Sequence, residues 1–242
     1  MLTRVPDVEP RLYDVLRTSF GTNTRTGIHL SSLLNPRQTH FKQTDPRPLN
    51  NEEIGYFIGG RGHEDALARL LGDDFALTAE EVIDGIHLRP YFVAVTDRVV
   101  PAGSFCEFKT RRSNLPKSDA EAAIAFESYR DQIRGYMALK GHPEMYLIVL
   151  SLLEGKVKGD PLSKSGPVFA VYKETMTDEE LAEVRTDLQT RKTLLELGTF
   201  SLMPLCWQFL CVRWVDKKLT KHCPYYDDCQ PYLTDERRQV HE

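Results

Sequence analysis

The stretch that most constrains this chain runs from an apolar segment closing on Asp97, through Glu107-Phe108-Lys109, to Gln132 and Tyr136. If Ser104 to Thr110 is extended, Glu107 and Lys109 share one face while Cys106 and Phe108 turn to the other, because side chains alternate along a strand. Pro90 to Val100 reads as one strand, and Pro101-Ala102-Gly103 as the turn leading into the Glu107 strand. A hairpin of this kind would bring Asp97 close to Glu107. Gln132 and Tyr136 fall within a helical run, Ala120 to Lys140, and residues four apart lie on one helix face, so both can reach the same place. Ile148-Val149-Leu150 then suits a buried strand.

These residue types point to a definite chemistry. Hydrolysis of a phosphodiester uses one or two hard divalent cations to clamp the attacking and leaving oxygens, and carboxylates are the natural ligands of Mg²⁺ and Mn²⁺. Asp97 and Glu107 would supply them. Lys109, on the same face as Glu107, would orient the attacking water and stabilise negative charge on the phosphoryl oxygens. A Glu-x-Lys triplet on a strand is more often a solvated cross-strand charge pair, so the triplet alone decides little. Its place in an ordered series of motifs carries the weight.

The series resembles the RecB-like branch of the PD-(D/E)XK nuclease superfamily. That branch carries a Gly-rich helix start followed by His, matched here by Gly59-Gly60-Arg61-Gly62-His63-Glu64 leading into Ala66 to Leu71. Its acidic strand end matches Thr96-Asp97-Arg98-Val99, and its (D/E)-x-K strand matches Glu107-Phe108-Lys109-Thr110. Its Gln-x-x-x-Tyr signature matches Gln132-Ile133-Arg134-Gly135-Tyr136. The resemblance spans roughly Gly59 to Leu152. It implies a metal shell of His63, Asp97, Glu107 and the backbone carbonyl of Phe108, with Lys109, Gln132 and Tyr136 completing the catalytic set. An imidazole added to two carboxylates shifts the metal preference toward Mn²⁺. A lone His at a helix start otherwise caps or packs.

Within the branch the chain is most similar to the CRISPR-associated iron-sulfur exonuclease family and its viral relatives, whose [4Fe-4S] cluster is held by one N-terminal and three C-terminal cysteines. This sequence departs from that layout. His29 to Arg37 looks like the family's entry helix, yet Asn35 stands where the first cysteine is expected. Cys223 and Cys229 resemble the last two ligands, while Thr220 occupies the position of their partner. Cys206, Cys211, Cys223 and Cys229 lie close together near the end of the chain. Four thiolates would suit a [4Fe-4S] cluster or a tetrahedral Zn²⁺, but no C-x-x-C pair is present. Cys206 and Cys211, set among Leu, Trp and Phe, read equally well as buried apolar residues.

Hydrophobic residues make up 41% and charged residues 27% of the 242, enough to bury a full core in one large domain. No apolar run reaches the ~18 residues a membrane span needs. With no signal peptide at the start, the expected setting is intracellular and reducing, in a cell or encoded by a virus, which argues against disulfides. The formal charge of −4 is not what a general DNA coater shows, and it does not exclude a nuclease, for which a local positive groove suffices. Arg111, Arg112 and Arg134 are the leading DNA contacts, with Arg98, Arg130 and Lys140 as further groove candidates.

The expected fold class is α/β: a central mixed β-sheet flanked by helices, a restriction-endonuclease-like core, with a helical N-terminal segment and a cysteine-containing C-terminal region. The expected divisions are 1–58 as an N-terminal segment or lid, 59–175 as the nuclease core, and 176–242 as a C-terminal helix and cysteine region. Phe41, Tyr56 and Phe57 would stack on bases if the N-terminal segment lines a single-strand channel, or serve in the core. Val168 to Tyr172 reads as a strand, and Met176 to Leu197 as a helix opened by a capping box at Thr177. The function expected is a Mg²⁺- or Mn²⁺-dependent DNA exonuclease acting on single strands or ends, in CRISPR adaptation, recombination or viral DNA processing, with possible endonuclease activity. The alternative is a DNA-end-binding subunit of a larger adaptation or recombination complex, with little cleavage of its own. A third reading is a zinc-stabilised DNA-binding protein in which the cysteines matter and the hairpin is ordinary.

Overall fold

The computed structural model describes residues 9–21, 27–47, 51–111, 113–154, 166–199, 212–215, 218–221 and 225. Four helices dominate the N-terminal part: α1 (Glu9–Gly21), α2 (Leu30–Leu34), α3 (Pro36–Thr44) and α4 (Asn51–Leu70), with the two-residue strand β1 (Ile28–His29) before α2. The entry helix expected from His29 to Arg37 is split, because Asn35 leaves helical geometry and Pro36 restarts the helix at a position where its missing N–H costs nothing. Helix α4 runs across the expected division at residue 58.

The central sheet has five strands in the order β2-β5-β6-β7-β8, comprising β2 (Phe75–Leu77), β5 (Phe92–Ala94), β6 (Phe105–Arg111), β7 (Glu144–Glu154) and β8 (Gly166–Thr175). β6 and β7 are parallel and the other pairs antiparallel, giving the mixed sheet expected. The parallel pair needs a crossover. It is made by α5 (Asp119–Ala125) and α6 (Glu127–Lys140), which divide the expected Ala120–Lys140 helix at Phe126. A smaller sheet places β4 (Ile86–Leu88) between β1 and β3 (Glu81–Ile83). Helix α7 (Asp178–Leu197) opens with the full Thr177–Glu180 capping box that the sequence shows. A β9–β10 hairpin joins Val212–Val215 to Lys218–Lys221.

The sheet buries both faces. On one, Leu147 and Val149 meet Ile133, Tyr136 and Met137 of α6, Leu30 and Leu33 of α2, and Leu188 of α7. On the other, Cys106, Phe108 and Ile148 pack with Phe75, Phe92, Val100 and Leu67 of α4. Cys106 and Phe108 thus turn to the face opposite Glu107, as the alternation requires. Burial pushes the Cys106 thiol up to about 12, consistent with a purely structural role.

The expected Pro90–Val100 strand is shorter in the fold. It ends at Ala94, where the Ala94 N–H donates to Ser104 O and the Gly103 N–H to Ala94 O. Asp74 then holds the following residues out of the sheet: its carbonyl accepts from Val95 N at 2.7 Å, and its carboxylate accepts from Thr96 Oγ1 at 2.6 Å and pairs with Arg98 at 3.2 Å.

Candidate active site

Glu107 is 6% exposed, and its Oε1 is the hub of the site. Lys109 Nζ donates to it from two residues along β6. Gln132 Nε2 donates to it at 3.1 Å from α6, and to Tyr136 Oη at 3.2 Å. Strand alternation presents Glu107 and Lys109 to one face, and the i, i+4 spacing presents Gln132 and Tyr136 toward them, so four of the expected residues converge. A carboxylate so buried requires partners, and an ammonium and an amide provide them. Tyr136 is 2% exposed, and desolvation pushes its hydroxyl pKa well up, reinforced by the Glu107 charge. The tyrosine is therefore a neutral donor or acceptor at any physiological pH. Lys109 also lies 5.8 Å from the centre of the Tyr129 ring.

Asp97 is not brought to this cluster. It sits beyond the end of β5, exposed, and its Oδ1 accepts the Ala102 N–H at 2.6 Å within the hairpin tip. Ala94 is level with Ser104 across the hairpin, and Glu107 lies three residues further along β6, roughly 10 Å at about 3.3 Å per residue. Asp97 continues in the opposite direction. The expectation that a turn at Pro101 to Gly103 would juxtapose the two acids fails because the hairpin closes earlier, at Ala94.

Glu64 is the residue that sequence reasoning passed over. It stands next to His63 on α4, and its carboxyl pKa is raised. Loss of hydration is the main cause and the Glu107 charge adds to it, while Lys109 and Arg89 oppose it. Its side chain still reaches solvent, which tempers the effect. A second carboxylate, on α4, is thus near enough for the Glu107 charge to act on it. The signal lay in the sequence as the acidic residue following the Gly-rich run. His63 itself lies in the interior of α4, and its Nδ1 bonds the Gly59 carbonyl at 2.6 Å. That bond leaves Nε2 as the outward atom, the usual way a ligating imidazole is oriented. Consecutive helix residues do not face the same way, and among the described residues His63, Asp97 and Glu107 do not gather into a three-ligand group.

Ser104 O points toward β5, and backbone alternation sends the Phe108 carbonyl to that same edge, beyond the last β5–β6 pair at Phe92 and Cys106.

Most of the expected DNA-contacting cations are engaged elsewhere. Arg134 pairs with Glu180 at 3.3 Å and Glu174 at 3.7 Å, Arg130 forks onto Glu174, and Lys140 pairs with Glu81 at 2.7 Å. Arg111 donates to Ser113 Oγ at 2.7 Å and stacks over Phe126. Arg89, exposed and close enough for its charge to act on Glu64 and Tyr136, is a cation beside the site that sequence reasoning did not single out. Phe41 stacks on Tyr225 at 5.5 Å, and the Tyr225 hydroxyl donates to Asp45 O, so that ring is occupied by the protein itself. Arg112, Cys206, Cys211, Cys223 and Cys229 and the side chains of Tyr56 and Phe57 lie outside the described residues.

No family model matches the chain, and no curated protein matches it. Among solved structures it is similar to SSO0001, with a TM-score of 0.49 at 14% identity, over 94% of this chain and 98% of that one. It is also similar to a phage-related exonuclease from Haemophilus somnus 129PT, with a TM-score of 0.47 at 12% identity, over 69% and 81% of the two chains. LHK-Exo, solved in complex with dAMP, gives a TM-score of 0.38 at 15% identity, over 71% and 88%.

Proposed function

We propose that this protein is a metal-dependent DNA nuclease that hydrolyses phosphodiester bonds in the site around Glu107. The observation that carries the reading is the convergence of Lys109, Gln132 and Tyr136 on one buried carboxylate, from a strand and a helix 25 residues apart. A solvated cross-strand charge pair would have no need of burial or of an amide reaching in from α6.

The donor set fits a hard divalent cation. Glu107 and Glu64 offer carboxylate oxygens and the Phe108 carbonyl faces the free edge, whereas His63, next to Glu64 on α4, does not share its helix face. The raised Glu64 carboxyl reflects partial loss of hydration and the adjacent Glu107 charge, which a cation would offset. Bound there, Mg²⁺ or Mn²⁺ would supply Lewis acidity and lower the pKa of a coordinated water. Asp97, at the hairpin tip, stays outside this set unless the hairpin rearranges. Lys109 contributes a fixed positive charge where negative charge develops on the phosphoryl oxygens. Gln132 holds the Glu107 oxygen and the Tyr136 hydroxyl through one amide nitrogen, and so positions both. Arg89, whose charge reaches Glu64 and Tyr136, would be one contact for an incoming phosphate, and Arg111 and Arg112 follow Lys109 in the chain.

Within this reading the favoured substrate is single-stranded DNA or a DNA end, cut as an exonuclease in adaptation, recombination or viral DNA processing. The single acid on β6 and the ion-paired arginines of α6 favour one second reading, a DNA-end-binding subunit that cleaves slowly. End-labelled single- and double-stranded oligonucleotides, incubated with Mg²⁺ or Mn²⁺ and wild type or Lys109→Ala, separate the two. Cleavage that falls by about 10²–10³-fold in the variant, the usual cost of one electrostatic donor, supports the nuclease. Tight DNA binding with no metal-stimulated product supports the binding subunit.

A further inference from the structure

We propose a second metal site, for Zn²⁺, on the small sheet, formed by His29, Glu80 and His87. The two imidazoles come from strands that the fold sets in register: β1 and β4 are parallel, with His29 paired to His87, so both side chains project from the same face. Their ring centroids are 4.8 Å apart. Glu80, just before β3, reaches both: its Oε1 is 3.1 Å from His87 Nδ1 and 3.7 Å from His29 Nδ1. The three ligand atoms lie within 4.8 Å of one another, and no other group of three such residues is gathered among the described residues.

These distances suit a tetrahedral ion. Ligands about 2.05 Å from zinc stand about 3.3 Å apart at the tetrahedral angle, and the two carboxylate–imidazole separations bracket that value. The third pair, the two imidazoles, stands no more than 4.8 Å apart and would close toward that value around the ion. Gly27, at φ +85°, fixes which nitrogen is used: a Cβ there would collide with His87 Nε2, so the ring is cradled against the glycine backbone and turns Nδ1 toward Glu80. Two nitrogens and one carboxylate oxygen are a transition-metal set in preference to a Mg²⁺ or Ca²⁺ set. Three protein ligands leave a fourth position for water. The ion would tie β1, a strand of two residues, to β4 and to the start of β3, and so anchor the N-terminal segment on which α2 is built.

The test uses the full chain, freed of metal with a chelator and then titrated with Zn²⁺, reading zinc bound per chain and the zinc-dependent rise in Tm. Glu80→Gln is the first variant, because Glu80 is exposed and its amide isostere leaves the metal-free fold intact, which equal metal-free Tm values would verify. His87→Gln is the second. Each is expected to bind one zinc equivalent fewer than wild type and to lose the zinc-dependent part of the Tm rise that this site supplies. The affinity loss should exceed the roughly 10–100-fold cost of removing an outer-shell partner. Comparing variants with wild type cancels zinc taken up by the C-terminal cysteines or the Glu107 site. Unchanged zinc stoichiometry and an unchanged Tm rise in Glu80→Gln and His87→Gln would overturn the proposal, as would a wild-type chain that takes up no zinc.

Discussion

Glu107 and Glu64 have different partners, and the consequence for Glu64 is testable. Glu107 is compensated by Lys109 and Gln132, whereas Glu64 carries a raised carboxyl pKa from lost hydration and the Glu107 charge. An acid whose pKa is raised by folding stabilises the fold at low pH, and that contribution is lost as pH rises through the raised value. Glu64→Gln, which cannot ionise, should therefore melt above wild type at pH 7, and the gap should close below about pH 4, where an ordinary glutamate is protonated in both states. Thermal melts across pH check this, and a gap that widens on acidification would contradict it. The individual site residues were legible from spacing alone where one strand or one helix carried them: Glu107 with Lys109, and Gln132 with Tyr136. Asp97 was misplaced because Asp74, 22 residues before Thr96, captures Val95, Thr96 and Arg98 in a loop. No local pattern around Pro90 to Val100 encodes that capture.

At the scale of elements, two helical glycines should respond oppositely to alanine. Gly60 lies inside α4, where an added Cβ would meet nothing within 4 Å, so Gly60→Ala should stabilise the fold by about 1 kcal/mol through helix propensity. Gly135 lies inside α6, where a Cβ would fall 2.8 Å from Leu30 Cδ1, in a buried contact between α2 and α6. The same propensity gain is there opposed by overpacking worth about 1–3 kcal/mol, so Gly135→Ala should be neutral to destabilising by about 2 kcal/mol. Chemical denaturation of both variants measures the signs. The capping box of α7 gives a third value: Thr177→Ala should cost about 1 kcal/mol. Caps and alternation were readable because they are local. The split of the entry helix at Asn35 and the break at Phe126 were not, since tertiary packing sets where each helix turns.

Across the whole molecule, charge is used to hold elements together more than to attract a polyanion. Arg130, Arg134 and Lys140 join α6 to β8, α7 and β3 through acids more than 40 residues away, partners that a reading by neighbourhood could not assign. The mixed sheet and its flanking helices were legible because β6, the crossover helices and β7 follow one another with short connections. The smaller sheet, which joins Ile28–His29 to Ile86–Leu88, was hidden by the same distance in sequence. The proposed function places DNA cleavage on the Glu107 face of this sheet. Its most direct test is the rate of metal-dependent release from end-labelled single-stranded DNA, measured for wild type, Glu107→Gln and Lys109→Ala alongside their DNA affinities. Loss of product in both variants with affinity retained is the expected result; equal cutting by all three proteins would contradict the account.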